Sequence, residues 1–257
     1  MAGEGDMYGK GSLDGQMNKF AKDQEKNNTT DEAPDNGKEE PGILRAALLD
    51  LDHTLYDYRP CHAAGMQAML QLAEEKLGLD KEGFRTAYRQ AQEENKRLLV
   101  GTAAEHSRLH YAKLIVESLL DETDAALCLA MEESYWSAYL DAMQLYPGVS
   151  DFLDYCREQW IRTGIVTNLT TAIQLRKIQA LGIVVGLVVT SEEAGVEKPE
   201  PGIFKLALDR IGCQAQEALF IGDDAHRDIA GARAMGMRAR QIHSGKDWDD
   251  WKTFLES

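Results

Sequence analysis

The tightest constraint on this chain is a short apolar run, Ala46-Ala47-Leu48-Leu49, that stops in Asp50-Leu51-Asp52-His53-Thr54. The run is too short for an independent helix. An apolar stretch closed at once by acids reads as a buried strand of a parallel sheet that ends at a site. Asp50 and Asp52 then lie just past its C-terminal end, where open α/β sheets bind ligands. Strand alternation places both carboxylates on one side, with Leu51 turned the other way. Two acids that close in a partly dry site repel each other and need a cation or a shared proton. A hard divalent metal with oxygen ligands meets that need. Taken alone, the stretch is also compatible with an aspartate capping the next helix.

The chain has 257 residues, 44% of them apolar, enough for one large domain or a domain with an insertion. A net charge of −15 argues against a nucleic-acid partner, because no basic excess exists to displace counterions. The small anionic ligands of a metal site remain open, since a metal and a few cations reverse the field locally. Cys61, Cys128, Cys156 and Cys213 form no CxxC pair, so free thiols in a reducing compartment are expected rather than a zinc or redox site. No run of about 18 apolar residues marks a membrane helix, and no apolar N-terminal segment marks a secretory signal. The expectation is a cytoplasmic protein without a membrane partner. Residues 1–41, rich in Gly, Asp, Asn, Lys and Glu, read as a disordered acidic tail.

Leu55 to Pro60 reads as a connecting turn or flap, with Pro60 disfavouring helix at Arg59 and suiting a helix start. Helices are expected over 61–77, 80–99, 103–120 and 122–143. The last carries Leu127, Met131, Tyr135, Tyr139 and Met143 on one stripe, expected to pack in a core or else to line a pocket. His106 and His110, four apart, read as a solvated polar helix face. Beyond Tyr146-Pro147-Gly148 the pattern alternates. Helices are expected over 150–159, 172–181, 201–211 and 229–235, and strands over 161–167, 183–190, 218–221 and 237–242. Such alternation indicates parallel β-α-β units. The expected architecture is α/β: a doubly wound, Rossmann-like parallel core (42–57 and 146–257) with an inserted all-helical cap (58–145).

Polar residues collect at the strand ends: Asp50, Asp52 and Thr54; Thr167 and Asn168; Lys198; then Asp223, Asp224 and Asp228. In a parallel sheet these ends share one edge, so remote residues converge in one crevice. No Ser–His pair or Gly-rich dinucleotide loop accompanies them. Carboxylates alone repel a phosphate, whereas carboxylates with Mg²⁺ and a lysine clamp phosphoryl oxygens.

These clusters resemble, in order, the four motifs of the haloacid dehalogenase-like (HAD) hydrolase superfamily. DLDHT resembles DxDxT, VTN supplies the second, SEEAGVEKPEPGIF holds the lysine of the third, and IGDDAHRD matches GDxxxxD. The likeness spans about 43–243, the insertion resembles the first class of helical cap, and SEEAGVEKP is similar to the pyrimidine 5′-nucleotidase-like branch. The resemblance implies a Mg²⁺-dependent phosphomonoester hydrolase acting on a small organic phosphate such as a nucleoside monophosphate. Asp50 would be the nucleophile, forming an aspartyl-phosphate. Asp52 would protonate the leaving oxygen and then activate water, help typically worth about 10²–10⁴ in rate. Thr167 and the Asn168 backbone would bind phosphoryl oxygens, and Lys198 would offset charge. Asp50, the Asp52 carbonyl and Asp223 would hold Mg²⁺, with Thr54 and Asp228 in support. Asp224 would bind a metal water or cap a helix. Helix or turn capping is the structural alternative for Thr54 and Asp228, and loop solvation for Lys198. Haloacid dehalogenases lack the second carboxylate of the first motif, so Asp52 disfavours dehalogenation. A sugar phosphomutase and a non-catalytic regulatory protein are the alternatives on this scaffold.

Overall fold

The computed structural model describes residues 43–255. The acidic tail expected over 1–41 lies outside them. Five strands form one sheet in the order β3-β2-β1-β4-β5: β1 Ala46–Leu49, β2 Arg162–Thr167, β3 Leu187–Thr190, β4 Ala218–Gly222 and β5 Arg238–Gln241. Every pairing is parallel. β1 is central, all four residues are buried, and Leu49 lies between Ile165 and Ile221. Its side chains alternate between two cores: Ala47 and Leu49 in one, Ala46 and Leu48 in the other. Apolar residues on both faces are what a sheet covered by helices on each side requires. Burying a leucine of this kind contributes about 1.5–3 kcal/mol.

Four helices stand between β1 and the next core helix: α1 Tyr58–Leu77, α2 Lys81–Leu99, α3 Arg108–Leu120 and α4 Ala125–Asp141. They form the all-helical cap. Each N-terminus is closed by a side chain, Asp57, Asp80, Ser107 and Asp124 in turn, accepting from a backbone N–H of the first turn. The flap expected through Pro60 is shorter, because α1 already begins at Tyr58. Pro60 sits in the first turn, where its missing N–H has no intrahelical partner to lose. α3 starts at Arg108 rather than 103, leaving His106 ahead of the Ser107 cap, so His106 and His110 do not share a helix face. Met131, Tyr135, Tyr139 and Met143 are buried, as the core reading of their stripe expects.

The two chain crossings between cap and core run side by side, with the Tyr146 N–H donating to the Leu55 carbonyl at 2.8 Å. The core continues through α5 Val149–Glu158, α6 Thr171–Leu181, α7 Ser191–Ala194 and α8 Pro201–Ile211. β3 is shorter than the expected 183–190. Ile183 is still tied to the end of α6 through Ile178, and pairing with β2 starts only at Gly164 opposite Leu187. The last expected helix is split into a π-helical turn, Ala225–Ala230, and α9, Gly231–Ala234. Beyond the expected elements, Gly245–Leu255 forms 3₁₀ turns. Trp248, Trp251 and Phe254 recur every three residues, the period of that helix, and pack on Phe152. Among the described residues, no helix is long and apolar enough to cross a membrane. The four cysteines are free.

Candidate active site

The Asp50 N–H continues the ladder by donating to the Ile221 carbonyl at 2.8 Å, which fixes the first carboxylate against β4. Asp50 Oδ1 accepts from Lys198 Nζ at 2.6 Å, and Oδ2 accepts from Thr54 Oγ1 at 3.0 Å. The Thr54 loop is itself pinned, because Trp248 Nε1 donates to the Thr54 carbonyl at 2.8 Å. Lys198 Nζ also donates to Asp228 Oδ1 at 2.6 Å. Asp228 Oδ2 accepts from the Asp224 N–H at 3.0 Å. A Cβ at Gly222 would overlap the Asp228 carboxylate, so only glycine lets Asp228 close on the strand end. Lys198 is placed by Asn168, whose Oδ1 accepts from the Lys198 N–H at 2.9 Å.

Burial disfavours the Lys198 ammonium, but Asp228 and Asp50 outweigh it and raise its pKa. Asp50 is pushed up to about 7, chiefly by burial, with Asp228 and Asp223 adding to the rise and Lys198 opposing it. Asp223 is also raised, by burial and by Asp228. Asp50, Asp223 and Asp228 each offer a carboxylate oxygen, all within 4.8 Å of one another. Three hard oxygen donors beside one ammonium are short of positive charge, and a divalent cation fits both the donor type and the deficit.

Asp52 points elsewhere. Both of its oxygens accept from Lys177 Nζ at 2.8 Å, and Oδ2 from Gln174 Nε2 at 3.3 Å. Tyr56 donates a very short hydrogen bond to Oδ1 and shares a second, at 2.6 Å, with Tyr139 of α4. Burial raises the Asp52 pKa, but Lys177 outweighs it and the net shift is downward. The Asp52 carboxylate is therefore outside the three-acid group. Gln174 also donates to Thr167 Oγ1 at 2.7 Å. Asp224 caps the turn that follows it, accepting from the His226 and Arg227 N–H groups at 2.8 Å each.

All nine expected residues lie at this edge. All but Thr54 line a cavity of about 370 Å³, which Thr54 supports through Asp50. The opposite wall belongs to the cap: Tyr58, His62, Gln92, His106, Arg108 and Trp136. Lys177 and Gln174 escaped the sequence reading. The signal available was a buried helical stripe, Ile173, Gln174, Lys177, Ile178 and Leu181, interrupted by two polar residues.

A parallel sheet whose strand ends gather an aspartate, a lysine and further acids beneath a helical cap is an arrangement suited to a phosphoryl-transferring hydrolase. Residues 44–236 match the haloacid dehalogenase-like hydrolase family, and the chain belongs to it. It is 45% identical over 199 residues to a ribulose-1,5-bisphosphate 5-phosphatase of Halopiger xanaduensis, covering 76% of this chain and 83% of that one. It is 32% identical over 210 residues to a glyceraldehyde 3-phosphate phosphatase of Methanopyrus kandleri, covering 80% and 87%. Among solved structures, a HAD phosphatase from Thermococcus onnurineus superposes with a TM-score of 0.58 at 24% identity, covering 78% of this chain and 86% of that one. A 2-haloacid dehalogenase from Pseudomonas syringae gives 0.62 at 24% identity, with 78% and 86% covered. These two likenesses show the shared fold. The chain's enzyme class is that of a phosphatase, a phosphoric monoester hydrolase.

Proposed function

We propose that the enzyme removes phosphate from small phosphorylated sugars through an Asp50 aspartyl-phosphate, with Mg²⁺ as its cofactor. The observation that carries this is the buried Asp50–Lys198–Asp228 array with Asp223 beside it at the strand ends. The names of the relatives from Halopiger xanaduensis and Methanopyrus kandleri support a phosphosugar. A nucleoside monophosphate remains the narrower alternative carried by the third motif. The cap is taken as 58–145, between core segments 42–57 and 146–257.

An oxygen of Asp50 attacks phosphorus, and the bond to the ester oxygen breaks. Asp52 delivers a proton to the departing alkoxide, then takes one from the water that cleaves the aspartyl-phosphate and releases inorganic phosphate. Both Asp52 oxygens accept from Lys177 in the structure, so this acid–base work requires that pair to open. Thr167 and the Asn168 backbone orient phosphoryl oxygens, and Lys198, which opposes the burial-driven rise of the Asp50 pKa, offsets charge on the nucleophile and the incoming phosphate. Asp50, Asp223 and the Asp52 carbonyl would hold Mg²⁺, with Asp228 and Thr54 in support. The ion supplies charge neutralisation for the phosphoryl oxygens.

The test is release of free phosphate from a panel holding sugar phosphates, ribulose 1,5-bisphosphate and nucleoside monophosphates, with Mg²⁺ and with EDTA. The reading expects Mg²⁺-dependent turnover that EDTA suppresses, strongest on sugar phosphates. Isomerised sugar phosphate without free phosphate would instead identify a phosphomutase.

A further inference from the structure

Three buried cations stand out among the described residues: Arg108, Lys177 and Lys198. Lys177 faces Asp52 and Lys198 faces Asp50 and Asp228. Arg108, only 8% exposed, has no carboxylate within ion-pair reach among the described residues. Its Nη1 donates to the His106 carbonyl and its Nη2 to Tyr58 Oη at 2.9 Å, while the buried Nε has no hydrogen-bond partner. The guanidinium lies 5.0–5.7 Å from the ring centres of Tyr135, Tyr111 and Trp136. Ring faces soften the desolvation of a cation but do not neutralise it. His62 adds no charge, because burial, with Arg108 nearby, holds its pKa down to about 4.

Arg108 lines the same cavity as Asp50, from the cap side. A buried, planar, permanently charged guanidinium that lines the cavity is the group best suited to a phosphate or carboxylate. Loops and helices held for packing alone do not need it, since an apolar residue would fill the space without burying a charge. We propose that Arg108 is a specificity-determining residue that binds a second anionic group on the substrate, so that the preferred esters are small sugars bearing a further phosphate or carboxylate. This rests on the phosphatase reading above for the first phosphate, which the Asp50 edge takes.

The experiment uses the full chain and substrates paired on one carbon skeleton. One pair is a pentose bisphosphate and the pentose monophosphate; the other is phosphoglycerate and glycerol phosphate. The wild type should favour the doubly anionic member of at least one pair, and which pair identifies the second group as phosphate or carboxylate. In Arg108→Gln the ratio of kcat/KM values within that pair should fall by at least about tenfold, mainly through KM, with partial recovery in Arg108→Lys. An equal loss on both members, or a loss confined to kcat, would overturn the proposal. So would a wild type with no preference in either pair, a result that needs no variant to fold. If no ester is hydrolysed, the phosphatase reading fails by itself. Calorimetric titration of the wild type and Arg108→Gln with the bisphosphate and monophosphate then decides the second-anion site: Arg108→Gln should lose affinity selectively for the bisphosphate, and unchanged selectivity would refute it.

Discussion

The two walls of the cavity treat buried charge in opposite ways. At the strand edge, Lys198 and Lys177 are each closed against carboxylates from remote segments. On the cap wall, Arg108 is surrounded by rings, a neutral imidazole and a carbonyl. A compensated pair is a finished part of the fold, because removing one partner strands the other in a poor solvent. An uncompensated cation is a vacancy in charge rather than in space, and a ligand can supply what is missing. Under the proposed function the edge carries the step common to all substrates, and the proposed Arg108 site on the cap distinguishes among them.

The comparison breaks most visibly at Asp50. Asp50→Asn should lower kcat by more than about 10³-fold, read as phosphate release from the best substrate. Lys198→Met comes next, leaving Asp50 and Asp228 facing each other without their shared cation. Chemical denaturation should show a loss of about 3–5 kcal/mol, accompanied by a large drop in kcat. Arg108→Met sharpens the contrast. With no carboxylate to strand, it should change stability by less than about 1 kcal/mol in the same experiment. A loss as large as that of Lys198→Met would mean that both walls are equally built for stability.

A further expected effect, of modest size, concerns pH. His62 is held near 4 in the folded protein against about 6.5 when unfolded. Between these values the unfolded chain binds more protons, so stability falls as pH drops from about 6.5 towards 4. With the ring only partly buried, the effect amounts to about 1 kcal/mol. His62→Gln should flatten that part of the stability profile, as measured by melting across buffers.

Much of the edge could be read from the chain because each part is local: an apolar run, then a polar residue at its end. Pro201–Ile211 was recovered with its bounds, since proline opens the helix and Gly212 closes it with φ 71°. What escaped depends on contacts between distant segments. Lys177 is an ordinary helical lysine until the sheet brings Asp52 over it. Arg108 is one of many arginines until α1 and α4 enclose it. The 3₁₀ segment at 245–255 carries neither the strand period of two nor the helical period of 3.6, because its apolar residues recur every three.

If Asp50 carries the phosphoryl group between ester and water, as proposed, the aspartyl-phosphate can be trapped. Rapid acid quench of the Mg²⁺-loaded wild type during turnover of a ³²P-labelled ester, followed by peptide mapping, tests this directly. Label should appear on the peptide that holds Asp50 and be absent from Asp50→Asn. Phosphate release at the wild-type rate by Asp50→Asn, or label on any other residue, would contradict the proposed role.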